Sequence, residues 1–214
     1  MRLITTLSLL LIASAAQAED FQPSKAPVPA GKYSLDLAHA SLVFRVSHLG
    51  FSTYTGRFTR YDAKLDFDPR RPDAARVEVT IDPRSIHADN APDGFLETLA
   101  NSKDWLDAAQ FPEMKFVSKS VEASGETLRV HGELTVRGVT RPLVLEARYN
   151  GGYASHPFEA RARIGFSAQG SFKRSDFGVV YGVPAAGSTF GVGDDVQVVL
   201  EAEFTGPPAK VAKN

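Results

Sequence analysis

Across 214 residues the chain is 43% hydrophobic, 23% charged and 10% aromatic, globular proportions that exclude wholesale disorder and collagen-like or low-complexity architectures. Lys and Arg number 24 against 25 Asp and Glu, and a net charge of −1 leaves no field strong enough to hold a nucleic-acid backbone. The absence of cysteine removes thiol catalysis, Cys-based zinc sites, iron–sulfur clusters, disulfides and the acylated-cysteine route to a membrane anchor.

Residues 1–18 read as a cleaved signal peptide. Arg2 is a minimal positive n-region, Leu3 to Ala13 is mostly apolar but too short to span a bilayer, and Ala16-Gln17-Ala18 is an A-x-A cleavage site. No later segment reaches spanning length, so no transmembrane anchor is expected in the mature chain. Residues 19–32, with Pro23, Pro27 and Pro29, read as an extended leader. Residues 206–214 read as a frayed tail, and residues 33–205 as one domain.

Within that domain the dominant signal is alternation with period two. Leu42, Phe44, Val46 and His48 share one strand face. Tyr61, Ala63, Leu65 and Phe67 form the next, then Val77, Val79 and Ile81. A helical stretch is expected over Asp93 to Ala109, with Ser102 capping a second short helix and Pro112 stopping it. Alternation returns at Met114, Phe116 and Ser118, and at Leu128, Val130, Gly132, Leu134 and Val136. It appears again at Phe158, Ala160, Ala162, Ile164 and Phe166, and at Val196, Val198, Leu200, Ala202 and Phe204. Turn residues such as Asp68-Pro69, Ser124-Gly125 and Asn150-Gly151-Gly152 separate the runs. About eight strands with one apolar face each suit an antiparallel sandwich or closed barrel, with a short helical insertion over one mouth.

The inward residues mix large aromatics with Ala63, Ser118, Gly132, Ala160, Ala162 and Ala202. Two readings are open. Alternating sizes fill the taper of a small barrel, which is the simpler reading of the pattern alone, or the small residues leave room for a ligand. His39 and His48 lie nine apart, about 30 Å along a strand, and no histidine has metal-ligand spacing or an Asp/His pair, so no metal is expected. No serine elbow, phosphate loop or dinucleotide fingerprint occurs. Lys173 and Arg174 beside Phe172 and Phe177 read either as a solvated loop with an Arg174–Asp176 contact or as cations at a cavity mouth.

Several segments together resemble the YceI-like family of exported bacterial proteins. They include Tyr33-x-Leu35-Asp36-x-x-His39-x-Ser41-x-x-Phe44-x-Val46-x-His48-Leu49-Gly50, Leu65-Asp66-Phe67-Asp68-Pro69 and Asp104-Trp105-Leu106-Asp107. Phe111-Pro112-x-x-x-Phe116-x-Ser118, Gly132-x-Leu134-Thr135-Val136-Arg137-Gly138 and Arg174-x-Asp176-Phe177-Gly178 follow in order. The chain departs from the family at Leu99, where many members have His, and at Trp105-Leu106, which replaces a Phe pair.

The resemblance implies an all-β fold, a lipocalin-like extended antiparallel barrel, with a long apolar cavity that holds an isoprenoid lipid or quinone. On that reading Phe44, Val46, His48, Tyr61 and Phe67 line the ligand from the first strands. Trp105, Met114, Phe116 and Leu134 line it from the middle of the chain, and Ala162, Phe166 and Arg174 from the last third. The expected protein is a periplasmic carrier with no catalytic residues, cofactor or metal, and a homodimer is left open. The alternatives are a lipid-modifying enzyme, pairing His48 with Asp36 or Asp176, and a stress-related scaffold with a filled barrel.

Overall fold

A computed structural model describes residues 27–208. The signal-peptide reading and most of the leader and tail lie outside those residues. The strands are β1 (Gly31–His48), β2 (Ser52–Phe58), β3 (Tyr61–Phe67), β4 (Arg76–Ile81), β5 (Ile86–His87), β6 (Met114–Ser124), β7 (Thr127–Val136), β8 (Val139–Tyr153), β9 (Arg161–Lys173) and β10 (Val192–Pro208). One α-helix, α1 (Phe95–Asn101), follows β5.

Every strand pairing is antiparallel, and β10 closes on β1 from Ser34↔Thr205 to His48↔Val192. On its other side β1 pairs with β3 near its start and with β2 near its end. Thus β2 and β3 are two halves of one barrel position, broken at Thr59-Arg60, and β4 and β5 are halves of the next. The two breaks bind each other: Thr59 N–H donates to the Ser85 carbonyl at 3.1 Å and Asp82 N–H to the Arg60 carbonyl at 3.0 Å. Eight barrel positions result, with no free sheet edge along β1 and β10.

The alternation read from sequence is the pleat of this barrel. Ala63, Leu65 and Phe67 are buried in β3, and Leu128, Val130, Leu134 and Val136 in β7, while their neighbours face out. Two ends are distinct. The β1–β2 turn, the β7–β8 turn and the segment between β9 and β10 sit at one end, the mouth. The β6–β7 and β8–β9 turns sit at the other.

Several expectations are corrected. Ser102 caps no second helix. Asp107 adopts a left-handed φ of 47°, and Leu106 and Ala108 donate back to the carbonyls of Leu99 and Ala100, so the segment folds onto α1. Phe158 is not in a strand: His156 and Glu159 bond each other in a tight turn that leaves Phe158 94% exposed. The pattern also missed β8 as a strand. Strand structure extends past the expected domain edges, from Gly31 to Pro208, and Val28 before it is buried.

Candidate functional site

A cavity of about 640 Å³ occupies the mouth half of the barrel. Its wall is built from the inward pleats of β1 (Leu42, Phe44, Val46), β7 (Leu134, Val136), β8 (Leu143, Leu145) and β10 (Val196, Val198, Leu200). Helix α1 lays Phe95 and Leu99, one turn apart, over one side. Among the described residues only His48, Ser52, Tyr54, Trp105, Arg174 and Tyr181 bring polar side-chain atoms to the lining, and all sit toward the mouth. His48, Ser52 and Tyr181 are also solvent-exposed, so the cavity opens there.

Small residues open this space indirectly, through the rings that lie over them. A methyl group at Gly56 would collide with the Phe44 ring, and one at Gly132 with the Phe116 ring, because the Phe44 ring lies over the glycine directly opposite it and the Phe116 ring over the glycine diagonally across the ladder. The glycines thus allow the rings to hug the wall, and the lumen between walls stays open. The filled-barrel reading is corrected by this geometry.

Beyond the partition formed by Val79, Phe116, Leu145 and Leu200 lies a second apolar cavity of about 110 Å³. It stops at an aromatic cluster. Phe166 has ring centroids 5.5 Å from Phe67, 5.4 Å from Tyr149 and 6.1 Å from Phe204. Burial raises the Tyr149 hydroxyl pKa, in keeping with a ring held away from water. Below it, Ala162 and Ile164 are packed solid, with 0% and 1% exposure.

At the mouth, Arg174 is buried and, among the described residues, ion-pairs with no carboxylate. Its Nε donates to the Gly193 carbonyl at 2.9 Å, Nη1 to Val179 at 3.0 Å and Tyr181 at 2.9 Å, and Nη2 to Val192 at 2.8 Å. Four of five guanidinium protons therefore clamp the two ends of the β9–β10 segment. The guanidinium also lies 5.4 Å over the Trp105 ring. Burial lowers its pKa, an effect the nearby Asp194 charge opposes. Asp194 itself accepts from the Ser175 N–H and hydroxyl. Arg174 donates to backbone carbonyls instead of forming the Arg174–Asp176 contact read from sequence. Arg137 adds a second clamp, donating to the carbonyls of Gly178 and Lys103 at 2.7 Å each. The Tyr54 hydroxyl, by contrast, is buried on the lining with no hydrogen-bond partner among the described residues, and burial raises its pKa.

The enzyme reading pairs His48 with Asp36 or Asp176. Asp36 lies at the far end of β1, where it binds His39 Nδ1 at 2.9 Å and Arg163 Nη1 at 2.7 Å. This is the Asp/His pair that sequence spacing had not suggested, because residues 37–39 bulge out of the β1–β10 ladder. Asp36, His39 and Glu203 converge closely enough to suit a cation, but Arg163 already donates to Asp36 and Glu203 from within the group. Among the described residues His48 contacts neither Asp36 nor Asp176.

With the fold and cavity in view, residues 33–204 match the family profile of the YceI-like domain. The chain belongs to the YceI-like family. The YceI protein of Escherichia coli is 34% identical over 176 residues, covering 82% of this chain and 84% of its own. The crystal structure of Burkholderia cenocepacia BcnA superposes with a TM-score of 0.64 at 25% identity, covering 79% of this chain and 98% of that one. A domain of Saccharophagus degradans described as polyisoprenoid-binding superposes with a TM-score of 0.59, covering 82% of this chain and 98% of that one. At 16% identity this last likeness is one of fold.

Within this YceI-like barrel the expected lining residues separate into groups. Phe44, Val46, His48, Trp105, Met114, Phe116, Leu134 and Arg174 line the large cavity. Tyr61, Phe67 and Phe166 line the small one, where Phe116 recurs. Ala162 lines neither and belongs to the packed floor, so its assignment as lining is corrected. Sequence reasoning missed Tyr54, since Ser-Thr-Tyr-Thr-Gly shows no apolar alternation. It also missed the clamp made by Arg137, whose partners are backbone carbonyls.

Proposed function

We propose that this YceI-like protein is an exported, periplasmic carrier that holds a long isoprenoid lipid, a polyprenyl chain or isoprenoid quinone, in its barrel. The observation that carries this reading is the large cavity, whose wall is hydrocarbon everywhere except the mouth. A branched, flexible apolar chain gains roughly 0.8 kcal/mol per CH2 group removed from water, without needing directional contacts. At interior packing density a five-carbon unit needs about 100 Å³, so the large cavity accommodates roughly six. The polyisoprenoid-binding description of the Saccharophagus relative supports the same ligand class. Export is supported by the apolar stretch and A-x-A site of residues 1–18.

The polar end of the lipid belongs at the mouth. There the Tyr54 hydroxyl, otherwise unpartnered, is available to donate to a quinone or head-group oxygen. Catalysis plays no part in this reading; among the described residues the polar groups of the wall are gathered at the mouth. Mass spectrometry of lipid extracted from protein purified under native conditions tests it. The expected result is an isoprenoid near one per chain, in its unmodified form. Fatty acids only, or empty protein, would overturn it.

A further inference from the structure

The mouth carries exposed apolar side chains that neither the barrel nor its cargo explains. The β1–β2 turn and the β9–β10 segment meet there: Leu49 N–H donates to the Gly191 carbonyl at 2.8 Å, and Gly50 abuts Thr189. One position along each tip stand Phe51 and Phe190, 87% and 84% exposed. Val180 and Tyr181, 62% and 59% exposed, lie on the same segment. Residues 49–56 and 178–191 contain no Asp, Glu, Lys or Arg, in a chain that is 23% charged. Lys103 and Asp104 flank this rim with opposite signs, and the Arg137 and Arg174 clamps hold it in shape.

The opposite end differs. There Arg163 is bound by Asp36, Glu159 and Glu203 in a charged network. Its exposed Phe158 stands beside His156 and Glu159. The molecule therefore has one end built on a charged network and one aromatic end whose tips are uncharged and whose nearby Lys173 pairs with Asp194 and Asp195, and the lipid cavity opens through the second.

We propose that this rim docks on the surface of a lipid bilayer, with Phe51 and Phe190 entering the interfacial region so that the cavity mouth faces the membrane. The proposal rests on the carrier reading, and it is favoured because the rim is continuous with the opening through which a membrane lipid enters and leaves. Aromatic side chains suit the boundary between headgroups and acyl chains. A rim without net charge gains nothing from anionic lipid, so docking is insensitive to salt and to headgroup charge, unlike a basic surface helix.

The test uses protein purified from the periplasm, with its lipid, and neutral phosphatidylcholine vesicles. Flotation measures docking, and the fluorescence of Trp105, the single tryptophan of the chain, reports the mouth. The double variant Phe51→Ser/Phe190→Ser should lower the vesicle-bound fraction about tenfold or more, with bound lipid retained. Phe158→Ser, equally exposed at the other end, should float like wild type. Wild-type flotation by the double variant, or an equal loss in Phe158→Ser, would overturn the proposal. So would a wild-type dimer that the double variant dissociates without any vesicle binding, since a second copy would then cover the rim. Failure of the carrier reading shows differently, as wild-type protein without lipid.

Discussion

Replacing Arg174 with Met separates two roles for a cation at the cavity mouth. Met keeps much of the apolar stem and removes the guanidinium, leaving the carbonyls of Val179, Tyr181, Val192 and Gly193 without their donors. A hydrogen bond from a charged donor contributes roughly 1.5–3 kcal/mol net, so four independent bonds would sum to about 6–12 kcal/mol. They share one group, and Tyr181 and its neighbours are exposed enough for water to replace part of the loss. A cost of about 3–5 kcal/mol follows, close to that of breaking a buried charged network. For a domain of this size that lowers Tm by about 6–20 °C. Urea unfolding monitored at Trp105 gives the stability, and limited proteolysis should find new cleavage between Gly178 and Gly191. Arg174→Lys should recover little, since one ammonium cannot span four carbonyls. The reasoning is refuted if Arg174→Met is as stable and protease-resistant as wild type while losing only head-grouped lipids, which would make Arg174 a ligand contact.

Removing bound lipid should lower Tm by mass action, while EDTA leaves it unchanged, because Arg163 and not an ion joins Asp36 to Glu203; differential scanning calorimetry checks both. Hydrogen bonds from His39 and Arg163 hold the Asp36 pKa below its ordinary value of 3.8. Stability from ionised Asp36 is thus fully present above pH of about 4 and lost as pH falls through the lower folded value. Asp36→Asn should flatten that acid limb in urea titrations at pH of about 2–5. Gly132→Ala should cost about 1–3 kcal/mol by chemical denaturation, because the new methyl meets the Phe116 ring and the Val117 carbonyl. Tyr54→Phe should weaken binding of a quinone while leaving a hydrocarbon of equal length unaffected, as measured by displacement of a fluorescent lipid.

The parts of the fold legible in sequence are those where one face alone is apolar. In β3, β4, β7 and β10 the period-two pattern marks the strand, and the barrel follows from how many such strands there are. Strand β8 was hidden because Pro142 and Gly151-Gly152 bracket Leu143, Leu145 and Ala147 with turn residues, and Val144 blurs their alternation, although all three are buried. Phe158 misled for the opposite reason: it continues the alternation of β9 into a turn. For the site, pattern identified the aromatic wall but not its geometry. Phe44 and Phe116 leave a lumen because glycines across the ladder let their rings lie flat, a relation between strands that no single segment displays. Arg174 was recognisable as a mouth residue, yet its partners are backbone carbonyls, which carry no sequence signature.

The central claim is that an isoprenoid chain threads the barrel from the mouth toward the aromatic floor. A polyprenyl quinone bearing a photoreactive diazirine at its chain terminus, loaded into the protein and mapped by peptide mass spectrometry after irradiation, tests this directly. The expected adducts fall on the partition between the two cavities, on peptides containing Phe116, Leu145 or Leu200. Adducts confined to the outer face of the barrel, or to the mouth residues Phe51 and Phe190, would contradict it.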